Sequence, residues 1–415
     1  MLEEPIAHSG EMIVHAAQLL STYFKKTVQF SKIIQLSESG RRNLILRLEI
    51  ANSTADMPKT VVLKMTAIEK QIFEAAANAE TEIETEQEQT SRFAHDWAGL
   101  EFLTEIGGNH APKFLIGSVE YKFILIEDLG VAHPSLVGPL TRAASLFNLQ
   151  EAKSALLSYV SRLGKMHADT AGKSEQFIAI LKRVYPQALH YNYVTDLDAE
   201  IILNHFKKFT GNETQELTQE IYSIIEFSQS KNEFTVFLHG DICPDNVYYQ
   251  NNEMRFIDFE FGDFGNALID ATYLRMHMPS CWCSKAVPFS IVHEMEATYR
   301  EELIKGVPSA ADDVIFNKQL AYACAYWLIK TLKGLDEFIA HEWICPSGPV
   351  DPDSQWEPDK NAFRPRILSR LESFILCIKE TDHLPNLKNS SIELLSYLRK
   401  IWPEAQNIDM YPVFK

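Results

Sequence analysis

From residue 139 onward the sequence reads as one amphipathic helix after another, broken once by a β-like island at residues 234–261. The island begins Phe237-Leu-His239-Gly240-Asp241-Ile-Cys-Pro-Asp-Asn246-Val-Tyr-Tyr. A polar stretch, Gln250-Asn-Asn-Glu253, follows, and then Met254-Arg-Phe-Ile-Asp258-Phe-Glu260-Phe-Gly-Asp263. Such a pattern makes a loop, a short strand, a tight turn and a return strand. A two-strand hairpin brings its ends together, so Asp241 and Asn246 are expected to converge with Asp258.

The first 127 residues have another character. Residues 11–24 pattern as an amphipathic helix. Thr27–Leu36, Leu44–Ile50 and Thr60–Met65 alternate as strands, and short links between them suggest an antiparallel meander. Residues 66–92 are rich in Ala, Glu, Thr and Gln and read as a solvated helix or an insertion. A helix is expected over 93–106, and two more strands at Phe114–Val119 and Tyr121–Ile126. The result is a five-stranded sheet with one inserted helix. Beyond it, helical periodicity marks 142–168, 173–190, 195–208, 213–230, 289–304, 312–340, 364–380 and 390–402. The proline-bearing stretch 345–360 reads as a loop. No repeat of fixed period is visible.

Composition narrows the chemistry. A chain of 415 residues with 46% hydrophobic and 23% charged residues can bury a large core, which excludes a disordered or fibrous chain. The net charge of −17 repels phosphate backbones, so nucleic acid is not an expected partner, while cationic or neutral small substrates are mildly favoured. No basic n-region with an apolar stretch opens the chain, and no apolar run is long enough to span a membrane. The cysteines (Cys243, Cys281, Cys283, Cys324, Cys345 and Cys377) show no framework, and free thiols in a reducing cytoplasm are expected. Cys281-Trp-Cys283 is too tight for a zinc knuckle and reads as two part-buried thiols in a loop.

An acid, an amide five residues on and a second acid seventeen residues after the first suit phosphoryl transfer. One carboxylate takes or orients the proton of an attacking hydroxyl. A carboxylate and an amide oxygen hold Mg²⁺ on nucleotide phosphates, because magnesium prefers hard oxygen ligands. His239-Gly-Asp241 with Asn246, followed by Ile257-Asp258-Phe-Glu260, closely resembles the aminoglycoside phosphotransferase and choline kinase-like branch of the protein-kinase-like fold. The resemblance implies Asp241 as catalytic base, with His239 bracing its loop. It implies Asn246 and Asp258 as metal ligands, and Glu260 as an acid able to reach a second metal.

The same resemblance asks the first lobe for a strand lysine and an acidic partner. Lys64 stands inside the apolar strand Val61-Val-Leu-Lys-Met65, where an unpartnered charge is unfavourable. The alternative is an edge-strand lysine facing solvent. For the partner, Leu100 and Leu103 set a register that lands on Asp96, one methylene shorter than the usual Glu. Glu101 and the glutamates of 74–88 are the other candidates. The turn cluster Ser37–Asn43 would lie over the phosphates, with Ser39 and Gly40 nearest, although a plain hairpin turn uses the same residues. Phe123–Gly130 resembles the hinge that binds adenine, implicating the backbone near Glu127 and Asp128. His167 resembles a helix-end histidine of the family, and Asp270 the acid that ties down the catalytic loop through backbone amides.

The expectation is a bilobal protein-kinase-like α+β fold. The nucleotide-binding lobe is residues 1–127, and the helical catalytic and substrate lobe is residues 128–415. ATP and Mg²⁺ would lie in the cleft. The γ-phosphoryl group would pass to a hydroxyl of a small molecule, aminoglycoside-, choline- or sugar-like. A protein kinase fits less well, because Gly240 replaces the expected Arg and 258–270 leaves no room for a long activation loop. An inactive nucleotide-binding regulator would be marked by loss of Asp241, Asn246 or Asp258, and all three are present.

Overall fold

The computed structural model describes residues 4–37, 43–66, 85–130, 135–191, 194–250 and 253–415. In chain order the elements are α1 (Glu4–Phe24), β1 (Phe30–Gln35), β2 (Asn43–Ile50), β3 (Thr60–Thr66), α2 (Glu86–Ile106), β4 (Phe114–Ser118) and β5 (Phe123–Glu127). Then come α3 (Val137–Thr141), α4 (Leu146–Thr170), α5 (Ser174–Val184), α6 (Asp196–Thr210) and α7 (Gln215–Gln229). The island supplies β6 (Thr235–Leu238), β7 (Val247–Gln250), β8 (Glu253–Phe256) and β9 (Asp263–Asn266). The chain ends with α8 (Leu268–Ala271), α9 (Phe289–Leu303), α10 (Asp313–Leu332), α11 (Leu335–Ala340), α12 (Phe363–Thr381) and α13 (Pro385–Ile401). This is the expected α+β class. The chain divides into two compact units, one of Met1–Ala132, Glu175–Leu189 and Phe256–Phe261, the other of His133–Ser174, His190–Arg255 and Gly262–Lys415.

In the first unit the five strands pair antiparallel in the order β1-β2-β3-β5-β4. Period-two alternation sorts the two faces of β3. Val61 and Leu63 join Leu46, Leu48, Ile50, Phe123 and Leu125 in a core closed by Met12, Ala16 and Leu20 of α1. Each such leucine, taken fully out of water, contributes about 2 kcal/mol. Lys64 falls out of phase with that set and lies on the other face, in register with Ile45 and Ile124. Helix α2 starts on a capping box, Thr85 and Glu88 each bonding the other's backbone N–H, and stops at Gly107, whose φ is 79°. It is buried on nearly every side from Phe93 to Leu103, because α5 packs on it as well: His95 Nε2 lies 2.7 Å from the Leu189 carbonyl, and Phe177 stacks edge-on against Phe102.

The second unit is built of packed helices around the island. β6 pairs antiparallel with β9, and β7 with β8. β9 is a strand beyond the reach of the sequence pattern, being four residues with a glycine inside. The single helical pattern at 312–340 is two helices, α10 and α11, parted at Gly334. Helices α4 and α9 approach so closely that a Cβ on Gly164 would stand 2.6 Å from the Tyr299 carbonyl. Gly164→Ala is therefore expected to destabilise this unit by about 1–3 kcal/mol through overpacking. A drop of a few degrees in the thermal midpoint, with no change in helix content by circular dichroism, is the expected result.

Candidate active site

Within the first unit, Lys64, Asp96 and Asp258 form one cluster. The Lys64 ammonium lies 2.8 Å from Asp96 Oδ2 and 2.6 Å from Asp258 Oδ1. The Asp96 register is thus the one the structure adopts. Glu101 is engaged elsewhere, accepting from Trp97 Nε1 at 2.7 Å and Arg183 at 2.6 Å. Asp96 also accepts the Phe259 N–H at 2.9 Å, so a single carboxylate fixes both the lysine and the residue after Asp258. Asp258 has φ 69°, a left-handed conformation that costs an L-residue roughly 1–2 kcal/mol. The contacts to Lys64 and Asp96 over-determine that strain.

Burial disfavours the charge on Lys64, but Asp258, Asp96 and Glu260 outweigh it and hold the ammonium pKa above the ordinary lysine value. Asp96 moves the other way for its kind: burial pushes its carboxyl up, against the pull of Lys64. Glu260 is buried 3.7 Å from Arg92. Asp128 is gripped by Arg47, at 2.6 Å to Nε and 2.9 Å to Nη2, and also accepts the Gly130 N–H at 3.0 Å. Burial opposes its charge, yet the Arg47 bonds leave its pKa below the usual carboxylate range. The Glu127 N–H is spent on the Lys113 carbonyl at 2.8 Å. Arg47 was not among the expected site residues. Its signal was a charge, one of two with Glu49, in the apolar alternation of β2. Ser39, Gly40 and the acidic stretch 67–84 lie outside the described residues.

Within the second unit, Asp270 organises the loop that carries Asp241. Its Oδ2 accepts the His239 N–H at 2.7 Å and its Oδ1 the Gly240 N–H at 3.3 Å, the backbone tie expected of it. Gly240 has φ 79°, which places glycine there for a physical reason. His239 is fully buried, and its Nδ1 accepts the Asp241 N–H at 3.4 Å. His167, also fully buried, sits with Nδ1 2.8 Å from the Tyr299 hydroxyl and Nε2 3.5 Å from Asp270. Asn246 Nδ2 donates to the Asp241 carbonyl at 2.9 Å and to Asp241 Oδ2 at 3.2 Å, which commits the amide's nitrogen and leaves its oxygen as the donor atom for a cation. Carboxylate and amide oxygens are hard donors of the kind Mg²⁺ takes; Asp258 in the first unit and Asn246 in the second each offer one.

The segment after α8 folds onto the same loop. Ser280 Oγ donates to Asp241 Oδ1 at 2.6 Å, and Trp282 Nε1 to Asp245 Oδ2 at 2.6 Å. Cys281 is disulfide-bonded to Cys243. This corrects the expectation of free thiols. Among the described residues Cys283, Cys324, Cys345 and Cys377 are free, and both Cys281 and Cys283 are fully buried, not part-exposed. The bond joins residues 38 apart, a pairing that no spacing rule announces. It also removes the thiol-based ground for a reducing compartment.

The model of APH, the phosphotransferase enzyme family, matches residues 155–291. That segment holds His239, Asp241, Asn246, Asp258, Glu260 and Asp270, the residues on which the motif resemblance rests. No curated protein matches the chain closely enough to count as a relative. Among solved structures the chain is similar to a choline/ethanolamine kinase family protein from Mesorhizobium loti, at 13% identity over 89% of this chain and 93% of that one, with a TM-score of 0.41. It is similar also to a choline kinase from Cryptosporidium parvum, at 12% identity over 88% and 93%, with a TM-score of 0.40. Likeness at this level bears on neither acceptor nor residue roles. Among the described residues no helix is long and apolar enough to cross a membrane.

His277, in the segment that presents Ser280, is fully enclosed, with Ser373 Oγ 2.9 Å from its Nε2. Burial, helped by Arg370, pushes its pKa down from 6.5 to about 3. The unfolded chain therefore takes up the proton first. Stability is complete above pH 6.5 and is lost as the pH falls toward about 3. Between pH 6.5 and pH 5 this one group accounts for about 2 kcal/mol. His277→Asn, which tolerates the left-handed φ of 55° at this position, is expected to flatten that part of the stability-against-pH curve when denaturant midpoints are compared.

Proposed function

We propose that this enzyme transfers the γ-phosphoryl group of ATP, with Mg²⁺, to a hydroxyl of a small molecule, and that Asp241 is the base. The observation that carries the reading is the Lys64 ammonium held between Asp96 and Asp258, the latter 194 residues downstream in the sequence. Carboxylates keep a lysine this enclosed in its charged form, and a charged ammonium beside Asp258 is the arrangement that phosphate and a metal ion would meet.

On this reading Lys64 steadies the α- and β-phosphates, and Asp96 keeps it extended and charged. Ser39, Gly40 and the backbone near Glu127 and Asp128 complete the nucleotide contacts. Asp258 and Asn246 hold the metal, with Glu260 a third oxygen donor. Bound Mg²⁺ supplies neutralisation of phosphate charge. The acceptor hydroxyl gives its proton to Asp241 as its oxygen attacks the γ-phosphorus, and ADP leaves. His239 and Asp270 fix the loop and touch neither substrate. The acceptor is a hydroxylated small molecule of the aminoglycoside, choline or sugar kind, chosen by the segments 170–230 and 275–360. An ATP-consuming reaction keeps the cytoplasm as the expected compartment.

The test is transfer from labelled ATP to pooled hydroxylated amines, sugars and antibiotics, set against a protein pool. Label in proteins alone would overturn the reading. Asp241→Ala should lower turnover by about two to four orders of magnitude while nucleotide affinity stays near wild type. Asp258→Ala should abolish the Mg²⁺-dependent gain in ATP affinity measured by calorimetry, since a hard-cation site with few protein ligands loses a carboxylate. An unchanged Mg²⁺ effect would remove Asp258 from the metal set.

A further inference from the structure

The carboxylate assigned as base already has a hydroxyl on it. Ser280 Oγ donates to Asp241 Oδ1 at 2.6 Å, and Ser280 is solvent-exposed. The Tyr273 hydroxyl lies 3.0 Å from Ser280 Oγ. The same phenol oxygen lies 3.4 Å from Cys243 Sγ, so it bridges the serine and the catalytic loop.

The backbone is arranged to keep the serine there. His277 and Met278 are consecutive non-glycine residues with φ 55° and 51°, an unusual pair that turns the chain back toward the catalytic loop. Past the serine, the Cys281–Cys243 bond and the Trp282–Asp245 hydrogen bond pin the segment to that loop on either side of Pro244. Three successive residues, 280 to 282, are thus attached to the stretch 241–245 by a hydrogen bond, a covalent bond and a second hydrogen bond. A serine needed only to orient Asp241 would not require this, because Asn246 already holds the other carboxylate oxygen.

We propose that Ser280 is an internal phosphoryl acceptor, a self-modification site of this enzyme. The inference rests on the reading of Asp241 as the base. The serine proton passes to Asp241 Oδ1, a bond forms between Ser280 Oγ and the γ-phosphorus of ATP, the bond from that phosphorus to the β,γ-bridging oxygen breaks, and ADP leaves with the electron pair. No oxidant or reductant is needed. The phosphoserine then places a dianion against Asp241, where like charges repel, and takes the position that a substrate hydroxyl must occupy. Self-phosphorylation therefore slows transfer to any outside acceptor.

The test uses the full chain with γ-labelled ATP and Mg²⁺ and no added acceptor, with the label located by peptide mass spectrometry. ATP hydrolysis and nucleotide binding by thermal shift are followed in parallel. Label on Ser280 is expected to approach one phosphate per chain, with a first-order rate independent of protein concentration. Ser280→Ala should lose that label and still bind nucleotide, and Ser280→Thr should restore part of it. Asp241→Asn should slow labelling by about a hundredfold or more. An unlabelled Ser280 in a protein that hydrolyses ATP in an Asp241-dependent way overturns this inference and leaves the proposed function standing. A rate that rises with protein concentration, or labelling that survives Asp241→Asn, overturns it as well. Failure to bind or turn over ATP at all overturns both.

Discussion

A buried ammonium with two carboxylates on it is the interaction on which the first unit depends. Lys64, on the sheet face away from the α1 core, is unfavourable without a partner, and Asp96 of α2 supplies one. The second oxygen of Asp96 then captures the Phe259 N–H and so holds Asp258 in a left-handed backbone conformation that an isolated chain would abandon. Sheet, helix and a distant six-residue segment are locked by one charge cluster. Removing Lys64 would leave two carboxylates facing each other with no cation between them, which makes the lysine a structural keystone as well as a site residue.

The second unit has its own organiser. Asp270, almost wholly buried, has its two oxygens on two successive backbone N–H groups and faces His167. A carboxylate facing backbone amides is a rigid device, because its partners have no side-chain freedom to lose. The loop is set as a backbone shape, and Asp241 inherits its direction from that shape. The tether from α8 to this loop is therefore of a different kind from the contacts made by Asn246 and Ser280, which act on the carboxylate itself.

Much of this was legible in the sequence, and the unreadable parts share a cause. Periodicity located the strands and most helices because each buries one face. The family resemblance, laid on Leu100 and Leu103, pointed to Asp96 with Glu101 and the glutamates of 74–88 as alternatives, and the ion pair falls on Asp96. The Asp270 tie was readable because the motif carries its own geometry. By contrast, the Arg47–Asp128 pair spans 81 residues, the Cys243–Cys281 bond 38, and Ser280 reaches back 39 to Asp241. Each depends on where a loop is folded, which no local pattern encodes. β9 was hidden for the opposite reason: it is too short to show a period at all.

The Cys243–Cys281 bond has a topological consequence. It closes a ring in the chain with a sequence separation of 38. Asn246, Asp258, Glu260, Asp270, Tyr273 and Ser280 are all threaded on that ring. In the unfolded chain these side chains stay tethered near one another, and the loop-closure entropy so removed amounts to about 4 kcal/mol in the chain-entropy account. The part of the sequence that carries the chemistry is thereby the part with the least freedom to wander. An oxidised chain starts its folding with these groups already gathered, whereas a reduced one must first collect them from a longer, more open coil.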